Sequence, residues 1–340
     1  MVHSIINKMT KYFSYFLVVA SLFFINNLTA QPDSLFFKSK EAKKVIAPSW
    51  KMVKEVGLYL NQVSFTNWNA GGANSISAIA TGKAAAKYKD EYLFWNSSVS
   101  LRYGINKQED QSVQKTEDVI ELISNLGFQK DSTSNWFYSA KFSFNSQFSY
   151  GYNYPDTSQP ISKFMAPGYM FFGAGMEYGR HIDRLSFYAS PLTVKTTFVL
   201  DDYLANIGAF GVDPAIYDDE GNLLKPGKKT RNELGILLTN QYEEELFENI
   251  KVNSLVRLYT DYINSFGNVD LEWELTFDMK VNKYVKAMLG SHLRYDNDVK
   301  TEVETDETTN QEYVISGPKL QWKQLLGVGV VVDLNSIGKS

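Results

Sequence analysis

Few side chains in this sequence are equipped for covalent chemistry. It holds 3 histidines and no cysteine, which removes thiolate nucleophiles, thiolate metal ligands and disulfides. His3 falls in an apolar leader. His181 sits beside Asp183 in a turn between alternating segments, where a histidine is ordinarily just solvated. His292 stands between Gly290 and Arg294 on the charged face of an alternating run. A histidine so placed can polarise a serine, and Ser98, Ser100 and Ser143 have the matching parity in other runs. That chemistry needs nucleophile and base within reach and a third group to orient the base. No nucleophile-elbow motif marks any of these serines. The expected role of His292 is therefore an ordinary hydrogen bond, and no catalytic residue is assigned.

Two acidic runs offer hard oxygen donors. One is Asp218, Asp219, Glu220 and Asn222 around Gly221; the other gathers Asp296, Asp298, Glu302, Glu304, Asp306 and Glu307. Calcium takes such ligands from flexible loops, but neither run has the regular calcium-loop spacing. Solvated loops are the expectation, with no metal. No glycine-rich loop joins a strand to a helix, so no nucleotide or other cofactor is expected. The formal net charge of -4 gives no electrostatic footprint for nucleic acid.

The larger body of polar chemistry is a set of charges at strand spacing. Asp270, Glu272, Glu274, Asp278 and Lys280 alternate with Leu271, Trp273, Leu275, Phe277 and Met279. Lys286, His292 and Arg294 alternate with Val285, Leu289, Leu293 and Tyr295, with Ser291 as a polar exception on the apolar face. Lys251, Arg257 and Asp261 repeat the pattern upstream, as do Arg102 and Lys141. A period of two marks strands. One face is apolar and the other too charged for a dry core, which is the inside-out pattern of a barrel in a bilayer. These thirteen charged or ionisable residues are the expected lumen lining. Both signs are present, so the lining suits either passage of a polar solute or a locked network of ion pairs.

About twelve such strands can be marked, mostly of roughly twelve to sixteen residues, long enough to cross hydrocarbon at a tilt. Connections after even strands are short. Those after strands three, five, seven and eleven are long, which is the loop asymmetry of an up-and-down transmembrane β-barrel with long extracellular loops and short periplasmic turns. Pro191 removes a ladder donor and predicts a bulge. The segment 200–229 has room for a small hairpin around the Asp218 turn. Aromatics make up 14% of the chain and collect near strand ends, where interfacial girdles belong. In the loop after strand five, Tyr152 and Tyr154 are the candidates for contact with an external ligand, or they anchor the rim.

Lys8 and Lys11 precede an apolar stretch and Leu28, Thr29 and Ala30, the form of a secretory signal cleaved after Ala30. The expected organisation is a signal peptide over 1–30, a periplasmic lead-in over 31–51, the barrel over 52–334 and a short tail over 335–340. The chain is expected in the outer membrane, exported by its N-terminal signal.

The run NQVSFTNWNAGGANS over 61–75 resembles the N-terminal hallmark of a Bacteroidota family known as domain of unknown function 3078. QFSYGYNYP over 147–155, SPLTVK over 190–195 and LANIGAFGV over 204–212 resemble it too, and the likeness spans 50–334. The resemblance implies an outer-membrane β-barrel-like protein and carries no catalytic residues across. Many such barrels end on their last strand, often at an aromatic; here 335–340 follow and Ser340 is last. The partners expected are outer-membrane lipid and lipopolysaccharide, the barrel-assembly machinery during insertion, and a small polar solute or surface ligand. The leading expectation is a non-enzymatic structural or surface-ligand-binding barrel. A passive porin-like channel for small polar or lipophilic solutes is the alternative, and a barrel hydrolase the second.

Overall fold

Alternating polar and apolar residues leave each strand one wet and one greasy face, and closure into a barrel puts the wet face inside. The computed structural model describes residues 48–64, 73–131, 134–179, 184–263, 266–296, 303–306, 311–314 and 319–336. Twelve strands close into one antiparallel barrel. They are β1 (Ser49–Val63), β2 (Ser75–Lys89), β3 (Leu93–Gln108), β4 (Gln114–Phe128), β5 (Trp136–Ser146) and β6 (Gly168–Tyr178). Then come β7 (Leu185–Phe198), β8 (Thr230–Phe247), β9 (Ile250–Asp261), β10 (Asp270–Lys280), β11 (Val285–Tyr295) and β12 (Gln321–Asp333). Each strand pairs with its neighbours in sequence, and β1 closes on β12 with Leu58 opposite Val330. Closure pairs the backbone groups that an open edge would leave bare in lipid.

The exterior is apolar and exposed. Leu58 and Leu60 on β1, Leu101 on β3, Phe172 on β6, and Leu326, Val328 and Val330 on β12 all face outward. This is the surface of a transmembrane barrel. No helix among the described residues is long and apolar enough to cross a membrane. Near the short-turn end, Trp50 packs 5.1 Å from Tyr88 and 6.0 Å from Trp95, and Trp136 lies 4.9 Å from Tyr178. Near the other end, Tyr103 meets Phe148 and Tyr262 stacks on Phe266.

Connections over 90–92, 129–135, 179–184, 248–249 and 281–284 are short and share one end. The long ones, 147–167, 199–229 and 296–320, share the other. The connection after β3 was expected to be long and is not. β3 and β4 run on to Gln108 and from Gln114, leaving only 109–113. β1 likewise starts at Ser49, so 49–51 belong to the barrel ladder rather than to the lead-in. β5 stops at Ser146 because the Asp118 carboxylate takes the amides of Phe148 (2.6 Å) and Ser149 (2.9 Å), drawing the chain off the ladder.

The bulge expected at Pro191 is present: register shifts between Ala174 and Met176 on one side and between Gly235 and Leu237 on the other. Ser190 turns its hydroxyl onto the Ala174 carbonyl at 2.8 Å. Gly175 permits this close approach, since a Cβ there would fall 2.1 Å from the Ala189 carbonyl oxygen.

The segment 199–229 is built, not merely polar. It holds the short helix α1 (Asp202–Asn206), a 3-10 turn over Ala209–Gly211 and a hairpin of Ile216–Tyr217 with Leu223–Lys225. Gly208 and Gly211 adopt φ of 74° and 83°, which side chains resist. Asp201 caps α1 by accepting the Leu204 amide at 2.8 Å. Val199, Leu204, Ala205, Ala209 and Val212 form an apolar cluster with Ala166 from the preceding loop. The long acidic connection also contains a hairpin, Val303–Asp306 with Gln311–Val314. The signal peptide, the lead-in up to residue 47, the turn over 67–72 and His181 lie outside the described residues.

Candidate functional site

The charged faces of β9, β10 and β11 meet in the lumen through register. Arg257 lies directly opposite Glu272, and Glu274 directly opposite His292. Neighbouring strands bring such pairs within side-chain reach. Arg257 forms an ion pair with Glu272, and His292 Nε2 lies 3.2 Å from the second oxygen of that carboxylate. Arg294 contacts Asp296 at 3.5 Å and stands 4.5 Å above the Tyr169 ring. Arg257 lies 5.5 Å from the Phe171 ring. Tyr169 and Phe171 come from β6, which neighbours neither β9 nor β11, so these cation–π contacts span the lumen.

Glu272, Glu274, Arg257, His292, Arg294 and Asp270 line a cavity of about 210 Å³ toward the long-loop end. Lys251, Asp278, Lys280 and Lys286 line a larger one of about 570 Å³ toward the short turns. There Lys251 pairs with Glu243 at 2.5 Å and Lys286 with Glu55 at 3.3 Å. Arg102 lines both spaces, as does Glu121. Lys141 crosses from β5 to donate to the Thr239 hydroxyl at 3.0 Å, 4.6 Å over the Tyr188 ring. Asp261 differs from expectation. It is 2% exposed and accepts the Ile263 amide at 3.1 Å, so it braces the next turn instead of facing open lumen.

Sequence reasoning missed Lys195, a nearly enclosed cation in the wall. Its ammonium lies 2.7 Å from Asp270, 3.5 Å from Glu233 and 3.7 Å from Asp296, with its side chain 4% exposed. The bulge at Pro191 explains the miss. Ser186, Tyr188 and Ser190 are buried before it, and Thr193, Lys195 and Thr197 after it, so inward parity changes from even to odd. Glu117, which joins Lys323 at 2.7 Å and Arg102 at 3.7 Å, was legible from its parity on β4 but was not joined to the charged set.

Deeper toward the short turns, the wall is filled. Ser139 donates to Asn125 at 2.7 Å and to Glu177 at 3.1 Å, and Asn125 donates to Glu177 at 2.7 Å. Phe94 and Phe137 pack edge to face there at 5.0 Å.

The serines do not assemble a nucleophile. Ser143 lines the same space as His292 and Ser100 lines the other, but the hydrogen bond of His292 is to Glu272. In the Asp218 turn, the carboxylate is consumed by the amides of Glu220 and Asn222 and by the Asn222 side chain. Tyr152 sits between the rings of Tyr150 and Tyr154, and the Tyr154 hydroxyl accepts the Lys115 amide at 3.2 Å. These contacts tie the loop to the rim.

The loop cap has its own ion pair, between Lys163 and Asp201. Burial pushes the Asp201 carboxyl up, but hydrogen bonds from Lys163 and the Leu204 amide outweigh it and hold the group below the ordinary carboxylate range. The same bond raises the Lys163 ammonium.

A family model described as "Protein of unknown function (DUF3078)" matches residues 60–152. That match takes in the 61–75 run and most of 147–155. No curated protein matches the chain. Among solved structures, the translocator domain of the autotransporter NalP from Neisseria meningitidis is similar at 11% identity and a TM-score of 0.34, over 82% of this chain and 86% of that one. An outer-membrane channel from Pseudomonas putida F1 is similar at 9% identity and a TM-score of 0.38, over 87% of this chain and 100% of that one.

Proposed function

We propose that this chain is an outer-membrane barrel that passes small polar solutes through a narrow, charge-lined lumen without covalent chemistry. Its short turns face the periplasm and its long loops face outside. One observation carries the proposal: cavities of about 210 and 570 Å³ toward the two ends share Arg102 and Glu121 as wall. The Arg257 and Glu272 side chains keep 14% and 20% of their exposure at mid-barrel, which suits a wetted passage better than a dry core. Interleaved signs favour weak selection, since opposing fields partly cancel. The apolar exterior and aromatic ends suit contact with outer-membrane lipid after insertion by the assembly machinery. Among the described residues no serine hydroxyl is hydrogen-bonded to His292, which leaves a hydrolase without a joined nucleophile and base.

Planar-bilayer recording on the purified chain tests the proposal. Stable unitary currents are expected. Reproducible silence from demonstrably folded protein would overturn it and favour the second reading, a barrel that binds a ligand at its outer surface. That reading draws on the ordered loop cap, which presents Ile216, Leu223 and Leu224 exposed above a packed apolar cluster.

A further inference from the structure

We propose that Glu272, Glu274 and His292 form a site for a divalent transition-metal ion of the zinc class. Their ligand atoms all lie within 4.8 Å of one another. Two carboxylates and an imidazole are the mixed oxygen and nitrogen set that zinc accepts. Calcium and magnesium are poorer fits, because they favour oxygen ligands in larger number.

The backbone holds the three donors in place. Glu272 and Glu274 stand two residues apart on one face of β10, and Glu274 is directly opposite His292 on β11. Neither strand must move to gather them, so little ordering cost opposes binding. His292 Nε2 and Glu272 Oε1 are 3.2 Å apart. Two ligands on a tetrahedral zinc ion are separated by about 3.4 Å, given bonds near 2.1 Å. An ion can therefore take the place of the hydrogen bond between these atoms with little motion of either.

The surroundings complete the case. Arg257 engages the other oxygen of Glu272, Oε2, which fixes the carboxylate plane and leaves Oε1 facing the histidine. Outer partners of this kind orient metal ligands. Glu274 has no hydrogen bond or ion pair among the described residues, although it lines the lumen wall beside Glu272 and across from Glu121. A cation held between it and His292 would add to the attraction it already receives from Arg257. The three donors border the cavity at the long-loop end, from which water can fill a fourth position. Arg257 and Arg294 nearby oppose a second positive charge, so the site is expected to exchange its ion rather than lock it.

The test is cobalt binding by the purified full chain in detergent micelles, read by the visible absorption of tetrahedral cobalt and by equilibrium dialysis. One ion per barrel is expected, displaced by zinc. Glu274→Gln and His292→Gln should each weaken binding by more than about tenfold. Glu274→Gln breaks no ion pair and should keep the fold, checked by circular dichroism. Lys228→Gln, on the exposed pair with Asp213, should bind as the unaltered chain does. Absence of saturable binding at millimolar cobalt would overturn the proposal, and so would unchanged affinity in both ligand variants. Neither result depends on whether the barrel conducts.

Discussion

The indole N–H of Trp322 donates to the hydroxyl of Ser291 at 3.0 Å across the β11–β12 ladder. Ser291 lies two residues before Leu293, the residue paired directly with Trp322. Trp95 repeats the arrangement with Ser124 at 3.0 Å, and Trp273 with Ser254 at 3.1 Å, each serine again two residues before the direct partner. In each case an outward polar atom finds a partner on a wall that faces lipid, where an unpaired one is costly. Ser291→Ala should therefore lower stability by about 1–3 kcal/mol, and Trp322→Phe in the same chain should recover part of that loss. Urea unfolding from lipid vesicles, run as a double-mutant cycle, measures the coupling; additive losses would refute it.

This diagonal also marks how much could be read from the sequence. The alternation over 268–295 carries the strand positions and the side each residue faces, and Ser291 stands out there as an exception. Its reason is invisible because the partner lies 31 residues away and becomes a neighbour only through strand register. Pro191 likewise announces a bulge, but Lys195 turns inward only because the bulge reverses the parity of the residues beyond it. The helix at 202–206 has too few residues for any helical periodicity to register. The paired charges of β9 and β10 were visible as a face, whereas Arg257 opposite Glu272 required the register.

Lys195 makes a second expectation. Three carboxylates, Glu233, Asp270 and Asp296, lie within 4 Å of its ammonium, and it is nearly enclosed. Lys195→Met keeps the chain volume but removes the cation these three acids share, although Arg231 still contacts Glu233 and Arg294 still contacts Asp296; removing one partner of a buried ion pair costs about 3–5 kcal/mol. The variant barrel should unfold at lower urea and lose its heat-resistant migration at a lower temperature. Unaltered unfolding would mean that lumen water already compensates those acids.

The clasp between Asp201 and Lys163 sets a pH dependence for the loop cap. The Asp201 carboxyl is depressed in the folded state, so its contribution is present above the unfolded value of about 3.9 and is lost as pH falls through the lower folded value. The Lys163 ammonium is raised, so its contribution is present below about 10.4 and is lost as pH climbs through the folded value. The cap is therefore held throughout the neutral range and loosens in acid. Hydrogen exchange at the Leu204 amide, corrected for intrinsic rates, should accelerate below about pH 4. Asp201→Asn preserves a competent helix cap but removes the charge, and it should abolish that acid limb. A persistent limb in the variant would assign it elsewhere.

Ion selectivity provides the sharpest test of the lumen. Arg257 and Glu272 neutralise one another beside Glu274 and Glu121 on one side and Arg294 on the other. Arg257→Ala leaves the acidic groups in excess, so cations should pass more readily. Glu272→Gln removes one acid and leaves Arg257 without its ion-pair partner, so the preference should move toward anions. A unit charge about 4 Å from a passing ion is worth about 1 kcal/mol in water-like surroundings, roughly a fivefold change in permeability ratio. Reversal potentials in a salt gradient read both variants against the unaltered barrel, and the two shifts should have opposite sign. The shifts should also shrink in concentrated salt, where the Debye length falls to about 3 Å at 1 M. If both variants shift the same way, or neither does, ions do not pass this pair, and the mid-barrel charges act as a brace between strands.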